Sequence, residues 1–231
     1  MPRERFGPGL KPPDRAPRTS LRLEGGRPRH PEAHRDRLHA GLRALGDEGA
    51  WLEPALEQTW RWARAQAASL PVLALRIQAD PVTHTLHAQI QDLSEAPSPY
   101  TLLPMPHPLA LERNCALAPH KGCMGPWNSA VLQSAQGAGA RDALLHWSDA
   151  TVAETARAVV GCLDGRRLVL PPSEGRVRSV AELWDLPLWA DERGWEVALS
   201  PIPLQEALRG QLWCFNALRG LWPAQVLRNS P

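Results

Sequence analysis

APHKGCMGPWNSA, residues 118–130, contains one of only two lysines in this chain. The chain has 26 basic residues, and apart from Lys11 and Lys121 all of them are arginine. An amine can lose its proton and act as a nucleophile, whereas a guanidinium stays charged in proteins. Because the chain otherwise supplies positive charge as arginine, Lys121 is a candidate for covalent chemistry. The alternative is a solvated surface lysine.

The composition is that of a soluble globular protein. Of the 231 residues, 43% are hydrophobic and 22% are charged, and the net charge of +2 is too small to predict nucleic-acid binding. No apolar run approaches the roughly 18 residues of a membrane span, and no apolar segment follows the basic N-terminus as in a secretory signal. We therefore expect a cytoplasmic protein that binds neither membrane nor nucleic acid, with its four cysteines as free thiols.

Turn signals and hydrophobic patterning predict an α+β fold in two unequal domains. The segment SEAPSP is rich in turn formers and lies between strand-like runs, so a linker is predicted at 95–99. The N-terminal domain, 1–94, contains strands and two helices, and its first part, 1–18, is predicted to be loose. The C-terminal domain, 100–231, is richer in strands and carries Lys121.

The first predicted helix begins at Pro31 and has an apolar stripe that includes Leu38 and Leu42. His30 and His34, at its start, have the spacing of a metal-binding pair. No third ligand or zinc-protease motif accompanies them, so we predict a solvated helix face and no metal site.

Five motifs follow one another along the chain: a strand with a Gly-Gly turn, a helix with the pattern H-x-x-R-L, the lysine, a strand that ends in glutamate, and a loop FNALRGLWP. They occupy residues 19–26, 34–38, 121, 152–154 and 215–223. In this order and spacing they resemble the class IV pyridoxal-phosphate (PLP) enzymes. That family contains branched-chain and D-amino-acid aminotransferases and 4-amino-4-deoxychorismate lyase. The resemblance implies a two-domain class IV fold, with a small α/β N-terminal domain and a larger, strand-rich C-terminal domain.

The resemblance also implies PLP as the cofactor and a role for each motif. Lys121 stands at the place of the Schiff-base lysine, which moves a proton at the α-carbon of the substrate. Glu154 matches the carboxylate that pairs with the pyridine nitrogen, and Arg37 matches the cation that contacts the cofactor phosphate. The family further implies a small-molecule amino substrate and a homodimer. The substrate loop corresponds to Asn216, Ala217, Leu218 and Arg219.

The phosphate turn departs from the family pattern G-[I/V]-T-R. Without a gap in the alignment, this turn is 180–183, where the backbone N–H groups of Ala181 and Glu182 are the expected phosphate donors. A shorter preceding loop places 175–178 there instead, and the ungapped alignment is preferred. Ser179 and Glu182 also form a capping-box signature, in which Glu182 competes with a phosphate for the helix N-terminus.

Three functions are compatible with these motifs. The leading hypothesis is a lyase resembling 4-amino-4-deoxychorismate lyase, which releases pyruvate and 4-aminobenzoate for folate synthesis. The separation of Lys121 and Glu154 agrees with the lyase pattern without a gap, and the chain is short for an aminotransferase of this class. A class IV aminotransferase of branched-chain or D-amino acids shares the same residues. The third hypothesis is a non-catalytic relative, favoured by the altered phosphate turn and by Val159 in place of a family asparagine.

Overall fold

The computed structural model describes residues 5–6, 14–67 and 72–227. The segment predicted to be loose, 1–18, lies largely outside this part of the chain. Among the described residues, no helix is long and apolar enough to cross a membrane. None of the four cysteines, all of which lie in the described residues, forms a disulfide.

The contacts divide the chain into two compact units. The N-terminal unit contains Met1–Ser94 together with Ala116–Pro126, and the C-terminal unit contains Glu95–Cys115 together with Trp127–Pro231. The predicted domain division treated 95–99 as a linker, whereas these residues are part of the C-terminal unit. It also assigned the segment around Lys121 to the C-terminal domain, whereas the structure assigns that segment to the N-terminal unit.

The N-terminal unit is a five-stranded antiparallel sheet with two helices packed on it. Its strands are β1 (Arg5–Phe6), β2 (Arg18–Glu24), β3 (Arg27–Pro28), β4 (Val72–Asp80) and β5 (Thr85–Asp92), and its helices are α1 (Pro31–Ala44) and α2 (Leu52–Ala67). The strand order is β1-β5-β4-β2-β3. β2 and β4 pair over the full length of β2, from Arg18 opposite Gln78 to Glu24 opposite Val72.

The core of this unit is formed by the hydrophobic residues of its strands and of its two helices. Alternate residues of β2 are buried, among them Leu21 and Leu23, because successive side chains of a strand point to opposite faces. Leu38 and Leu42 of α1 are fully buried against them, as the predicted apolar stripe required.

Main-chain hydrogen bonds hold the segment 116–126 to this unit. Ala16 donates its N–H to the carbonyl oxygen of Gly122 at 3.3 Å, and Arg18 donates its N–H to that of Lys121 at 2.9 Å. The guanidinium of Arg18 also donates to the carbonyl oxygen of Gly125 at 3.1 Å. The segment thus runs beside the start of β2, although the two are far apart in sequence.

The C-terminal unit is built on an eight-stranded mixed sheet. Its strands are β6 (Thr101–Pro106), β7 (Asp142–His146), β8 (Val152–Thr155), β9 (Val159–Asp164), β10 (Arg167–Leu170), β11 (Glu196–Leu199), β12 (Gln211–Asn216) and β13 (Gly220–Val226). Their order in the sheet is β11-β10-β9-β12-β13-β6-β7-β8. The pairs β6/β7, β6/β13 and β10/β11 are parallel, and the other pairs are antiparallel.

Along the chain, helices alternate with the strands of this unit. They are α3 (Trp127–Gly137), α4 (Val180–Trp184), α5 (Leu186–Arg193) and α6 (Leu204–Ala207), with a 3-10 turn at Ala110–Glu112. The helical segment is interrupted between α4 and α5, just before Pro187, as predicted. Proline has no N–H to donate the hydrogen bond that a continuous helix needs. Residues of α4 and α5, including Ala181 and Leu186, form a buried cluster with Val159 and Phe215 on β9 and β12.

Candidate active site

The backbone conformation directly after Lys121 requires the glycine at position 122. Lys121 is half-buried, and Gly122 follows it with φ of 93°. A Cβ at Gly122 would collide with the carbonyl oxygen of Ala16. Glycine is therefore needed directly after the lysine, both for the positive φ and for the close approach of the two backbones.

His34 lies in the core, on α1, and only 1% of it is exposed. Its Nδ1 lies 2.6 Å from the Oγ1 of Thr19 on β2. The prediction of a solvated histidine face is wrong at this position. Because His34 is four residues before Leu38, it continues the apolar stripe of α1 and turns towards the sheet.

The surroundings of His34 connect two of the predicted cofactor residues. The pKa of His34 is lowered well below its usual value, first by burial and then by the positive charges of Arg37, Lys121 and His30. Both Arg37 and Lys121 are therefore near enough to a single buried ring to act on its charge. We call Arg37 and Lys121 the cationic pair of the N-terminal unit.

Glu154 occupies β8 of the C-terminal unit, where it pairs with Leu145 of β7. Only 9% of it is exposed. Its Oε1 lies 3.5 Å from Nε2 of His107, a residue that directly follows β6. The carboxylate is thus held at the edge of the eight-stranded sheet, where β8 is the outermost strand.

A buried aspartate fixes the turn that follows Glu154. Asp142 of β7 accepts hydrogen bonds from the hydroxyls of Tyr100 and Thr155, at 2.9 and 3.0 Å. It also accepts from the N–H groups of Ala143 and Ala156, at 2.8 and 3.1 Å. Four donors converge on one carboxylate, which holds the main chain directly after the candidate glutamate.

Stability should depend on the ionisation of Asp142. Burial raises the pKa of Asp142, although the hydrogen bonds from Tyr100, Ala143 and Thr155 and the charge of Arg157 oppose the effect. A carboxyl group with a raised folded pKa stabilises the fold below its unfolded pKa, and that contribution is lost as the pH rises through the folded pKa. We expect the difference in unfolding free energy between wild-type and Asp142→Asn protein to shrink with rising pH. Denaturant titrations through the acidic range measure it; a difference that grows with pH contradicts the assignment.

The candidate substrate loop is a tight turn between β12 and β13, and Asn216 organises it. The Oδ1 of Asn216 accepts the N–H groups of Leu218 and Arg219 at 3.0 and 2.9 Å, and Gly220 completes the turn with φ of 77°. The Nδ2 of Asn216 donates to the carbonyl oxygen of Arg157 at 3.2 Å. The loop and the turn after Glu154 are therefore connected within the C-terminal unit.

The expected phosphate donors lie inside a helix. Ala181 and Glu182 belong to α4, and the N–H of Ala181 is accepted by the side-chain oxygen of Ser179 at 3.3 Å. The N–H of Glu182 donates to the carbonyl oxygen of Ser179 at 3.1 Å. The helix cap that the sequence predicted is thus present at Ser179. The residues of the preferred alignment, 180–183, are helical. The hydrogen-bonded turn before α4 runs from Ser173 to Arg176, where the N–H of Arg176 donates to the carbonyl oxygen of Ser173 at 3.3 Å, and it overlaps the second alignment, 175–178, only in part.

Glu182 has a partner that the sequence analysis missed. Its two carboxylate oxygens accept hydrogen bonds from Nη1 and Nη2 of Arg176, at 2.7 and 3.0 Å, and both side chains are almost entirely buried. Arg176 also donates to the carbonyl oxygens of Pro171 and Pro172. The glutamate therefore completes an ion pair rather than the capping box. The signal for it was the arginine-rich segment before the helix.

The family model for class IV amino-transferases matches residues 19–227. The chain belongs to the class IV aminotransferase family. The resemblance drawn from the five motifs, and the two-domain α+β fold that it implied, are confirmed. A comparison with curated protein sequences gave no match.

Solved structures with this fold agree with family membership. A fold IV transaminase from Curtobacterium pusillum has a TM-score of 0.76 and 18% identity, with 94% of this chain and 81% of that chain covered. The PLP-bound form of a hypothetical aminotransferase from Mycobacterium tuberculosis has a TM-score of 0.75 and 19% identity, covering 94% and 84%. A provisionally assigned 4-amino-4-deoxychorismate lyase from Legionella pneumophila has a TM-score of 0.76 and 17% identity, covering 94% and 84%. At such identities these similarities show the fold alone.

The family motifs fall in both units. Arg37 and Lys121 lie in the N-terminal unit, whereas Glu154 and the loop of Asn216 lie in the C-terminal unit. Within the part of the chain that the structure describes, no three or more His, Cys, Asp or Glu side chains cluster in a way that holds a metal ion. The chemistry available to these residues is that of an amine, a guanidinium and a carboxylate.

Proposed function

We propose that this class IV protein is a PLP-dependent lyase resembling 4-amino-4-deoxychorismate lyase. It would convert aminodeoxychorismate to pyruvate and 4-aminobenzoate. The observation that carries the proposal is the match of residues 19–227 to the class IV family, with Lys121, Arg37 and Glu154 at the places of three family motifs. Family membership and the PLP-bound structural neighbours support the cofactor. Two provisionally assigned 4-amino-4-deoxychorismate lyases among the neighbours, and the ungapped separation of Lys121 and Glu154, support the lyase.

The side chains present fit PLP at three of the assigned positions. Lys121 supplies the primary amine that would hold the cofactor covalently, and Arg37 the guanidinium that would bind its phosphate. Glu154 supplies a nearly buried carboxylate for the ring nitrogen. Ala181 and Glu182 are not carried into the proposal, because their N–H groups already have acceptors in Ser179.

Each residue then has a definite task. When bound, PLP supplies an electron sink for the charge left on the α-carbon after proton removal. The amine of Lys121 moves that proton, and the carboxylate of Glu154 keeps a proton on the ring nitrogen. The guanidinium of Arg37 would attract the anionic phosphate of the cofactor. The loop of Asn216, Ala217, Leu218 and Arg219 would contact the substrate.

The proposal is tested by product analysis. Protein loaded with PLP and supplied with aminodeoxychorismate is expected to release pyruvate and 4-aminobenzoate in equal amounts, without an added keto acid. The measurement is coupled pyruvate oxidation alongside chromatography of 4-aminobenzoate. PLP-loaded protein that releases neither product contradicts the lyase assignment.

A class IV aminotransferase is the second candidate, favoured by the transaminases among the structural neighbours. It is distinguished by amino transfer that depends on a keto acid, with no pyruvate released from aminodeoxychorismate. Protein that takes up no PLP would favour the third possibility, a non-catalytic relative. We also propose a homodimer on the basis of the family, which sedimentation velocity of the PLP-loaded protein tests directly.

A further inference from the structure

His107 is a buried histidine beside Glu154 that none of the family motifs contains. It follows β6 directly, and only 3% of it is exposed. Its main-chain N–H donates to the carbonyl oxygen of His146 on β7 at 2.8 Å. Its ring packs against two indoles, with ring centroids 4.9 Å from Trp127 and 4.2 Å from Trp147. Backbone and ring contacts together hold the imidazole in a single orientation.

The hydrogen bonding of His107 determines which ring nitrogen carries the proton. Its Nδ1 lies 3.1 Å from the N–H of Leu109 and accepts a hydrogen bond from it. A nitrogen that accepts a hydrogen bond cannot itself be protonated, so the proton is on Nε2.

This Nε2–H is a buried donor beside a carboxylate. It lies 3.5 Å from Oε1 of Glu154 and makes no hydrogen bond within the described part of the chain. Buried donors are rarely left unsatisfied in native proteins, and one that remains requires a functional or structural reason. The nearest charged group is the carboxylate that the proposed function assigns to the cofactor ring.

We propose that His107 is a positioning residue for Glu154. Its Nε2–H, 3.5 Å from Oε1 of the carboxylate in this structure, would close on that oxygen as a hydrogen bond when the site is assembled, which would leave Oε2 for the cofactor. The indoles of Trp127 and Trp147 fix the imidazole, and the N–H of Leu109 fixes its tautomer. This inference rests on the proposed function, because it concerns the glutamate assigned there.

Two variants separate positioning from packing. In His107→Gln the amide nitrogen replaces Nε2 as the donor, whereas His107→Leu fills the same space without a donor. We expect His107→Leu to lower kcat by roughly ten- to a hundredfold, the worth of a hydrogen bond to a charged group, and to leave KM nearly unchanged. His107→Gln should recover most of the loss. His146→Leu is the matched control, because His146 lies on the adjacent strand and its ring bonds to the carbonyl oxygen of Trp147. Equal losses in His107→Gln and His107→Leu would overturn the proposal.

A second measurement needs neither cofactor nor substrate. Nitrogen-15 NMR of the PLP-free protein is expected to show the proton of His107 on Nε2, with a resonance that moves in Glu154→Gln. A proton on Nδ1, or an Nε2–H resonance that Glu154→Gln does not move, overturns the positioning role. If the wild-type protein takes up no PLP while this resonance does move, the proposed function fails and the contact between the two residues stands.

Discussion

Replacement of Lys121 by alanine is expected to lower turnover by at least about a thousandfold, because it removes both the covalent hold on the cofactor and the group that moves the α-proton. Lys121→Arg should be equally inactive, although it keeps the positive charge, since a guanidinium does not lose its proton at accessible pH. Steady-state pyruvate release measures the effect. The arginine variant is the matched control that separates amine chemistry from charge.

The covalent hold has its own readout. Wild-type protein loaded with PLP should be yellow, and borohydride should bleach it while fixing the cofactor on Lys121. Peptide mass analysis then has an internal control, because Lys11 is the only other lysine in the chain. Label on Lys11, or retained colour and turnover in Lys121→Ala, would remove Lys121 from the proposed mechanism.

The second large effect concerns the stability of the C-terminal unit. Glu182→Ala is expected to lower the unfolding free energy by about 3–5 kcal/mol, because it leaves the charge of Arg176 buried without its partner. The side chains of Arg176 and Glu182 are 0% and 3% exposed, so water cannot replace the lost carboxylate. Denaturant unfolding followed by tryptophan fluorescence measures the change.

Two further variants test the origin of this loss. The double variant Arg176→Met with Glu182→Leu should be markedly more stable than Glu182→Ala, since apolar side chains of similar volume can replace a buried ion pair at little net cost. Arg178→Ala is the control. Arg178 lies 3.5 Å from the same carboxylate, but its side chain is 49% exposed, and exposed pairs contribute about 0–1 kcal/mol. A loss in Arg178→Ala as large as that in Glu182→Ala would contradict the assignment to the buried pair.

The ion pair also bears on how the cofactor phosphate is held. Glu182 lies in the first turn of α4, and its carboxylate is paired with the guanidinium of Arg176. Since Ser179 accepts the N–H groups of Ala181 and Glu182, the proposed phosphate contact rests on Arg37.

Local residue types predicted much of this protein. The α+β class, the family and the candidacy of Lys121 followed from motifs in which neighbouring residues carry the signal. Helix α1 and its buried leucines followed from hydrophobic periodicity, and the break before Pro187 from the chemistry of proline. These features depend on short stretches of chain, so one sequence is enough to predict them.

The wrong prediction for His34 shows where local patterns fail. Its spacing from His30 indicated a polar face, whereas its spacing from Leu38 placed it on the buried one. Only the neighbouring strand, with Thr19 2.6 Å from the ring, provides the polar partner that makes burial favourable.

The sequence by itself determined the family, the fold class and the candidate residues: a lysine in an arginine-rich chain, a glutamate on a strand, and a loop that carries one family motif. Only the tertiary structure decided that the segment carrying Lys121 belongs to the N-terminal unit, that Glu182 pairs with Arg176, and that His107 lies beside Glu154. The physical reason is that the partners of Lys121 and Glu154 lie far away in the sequence, whereas Arg176 and Glu182, although only six residues apart, pair closely because folding buries both.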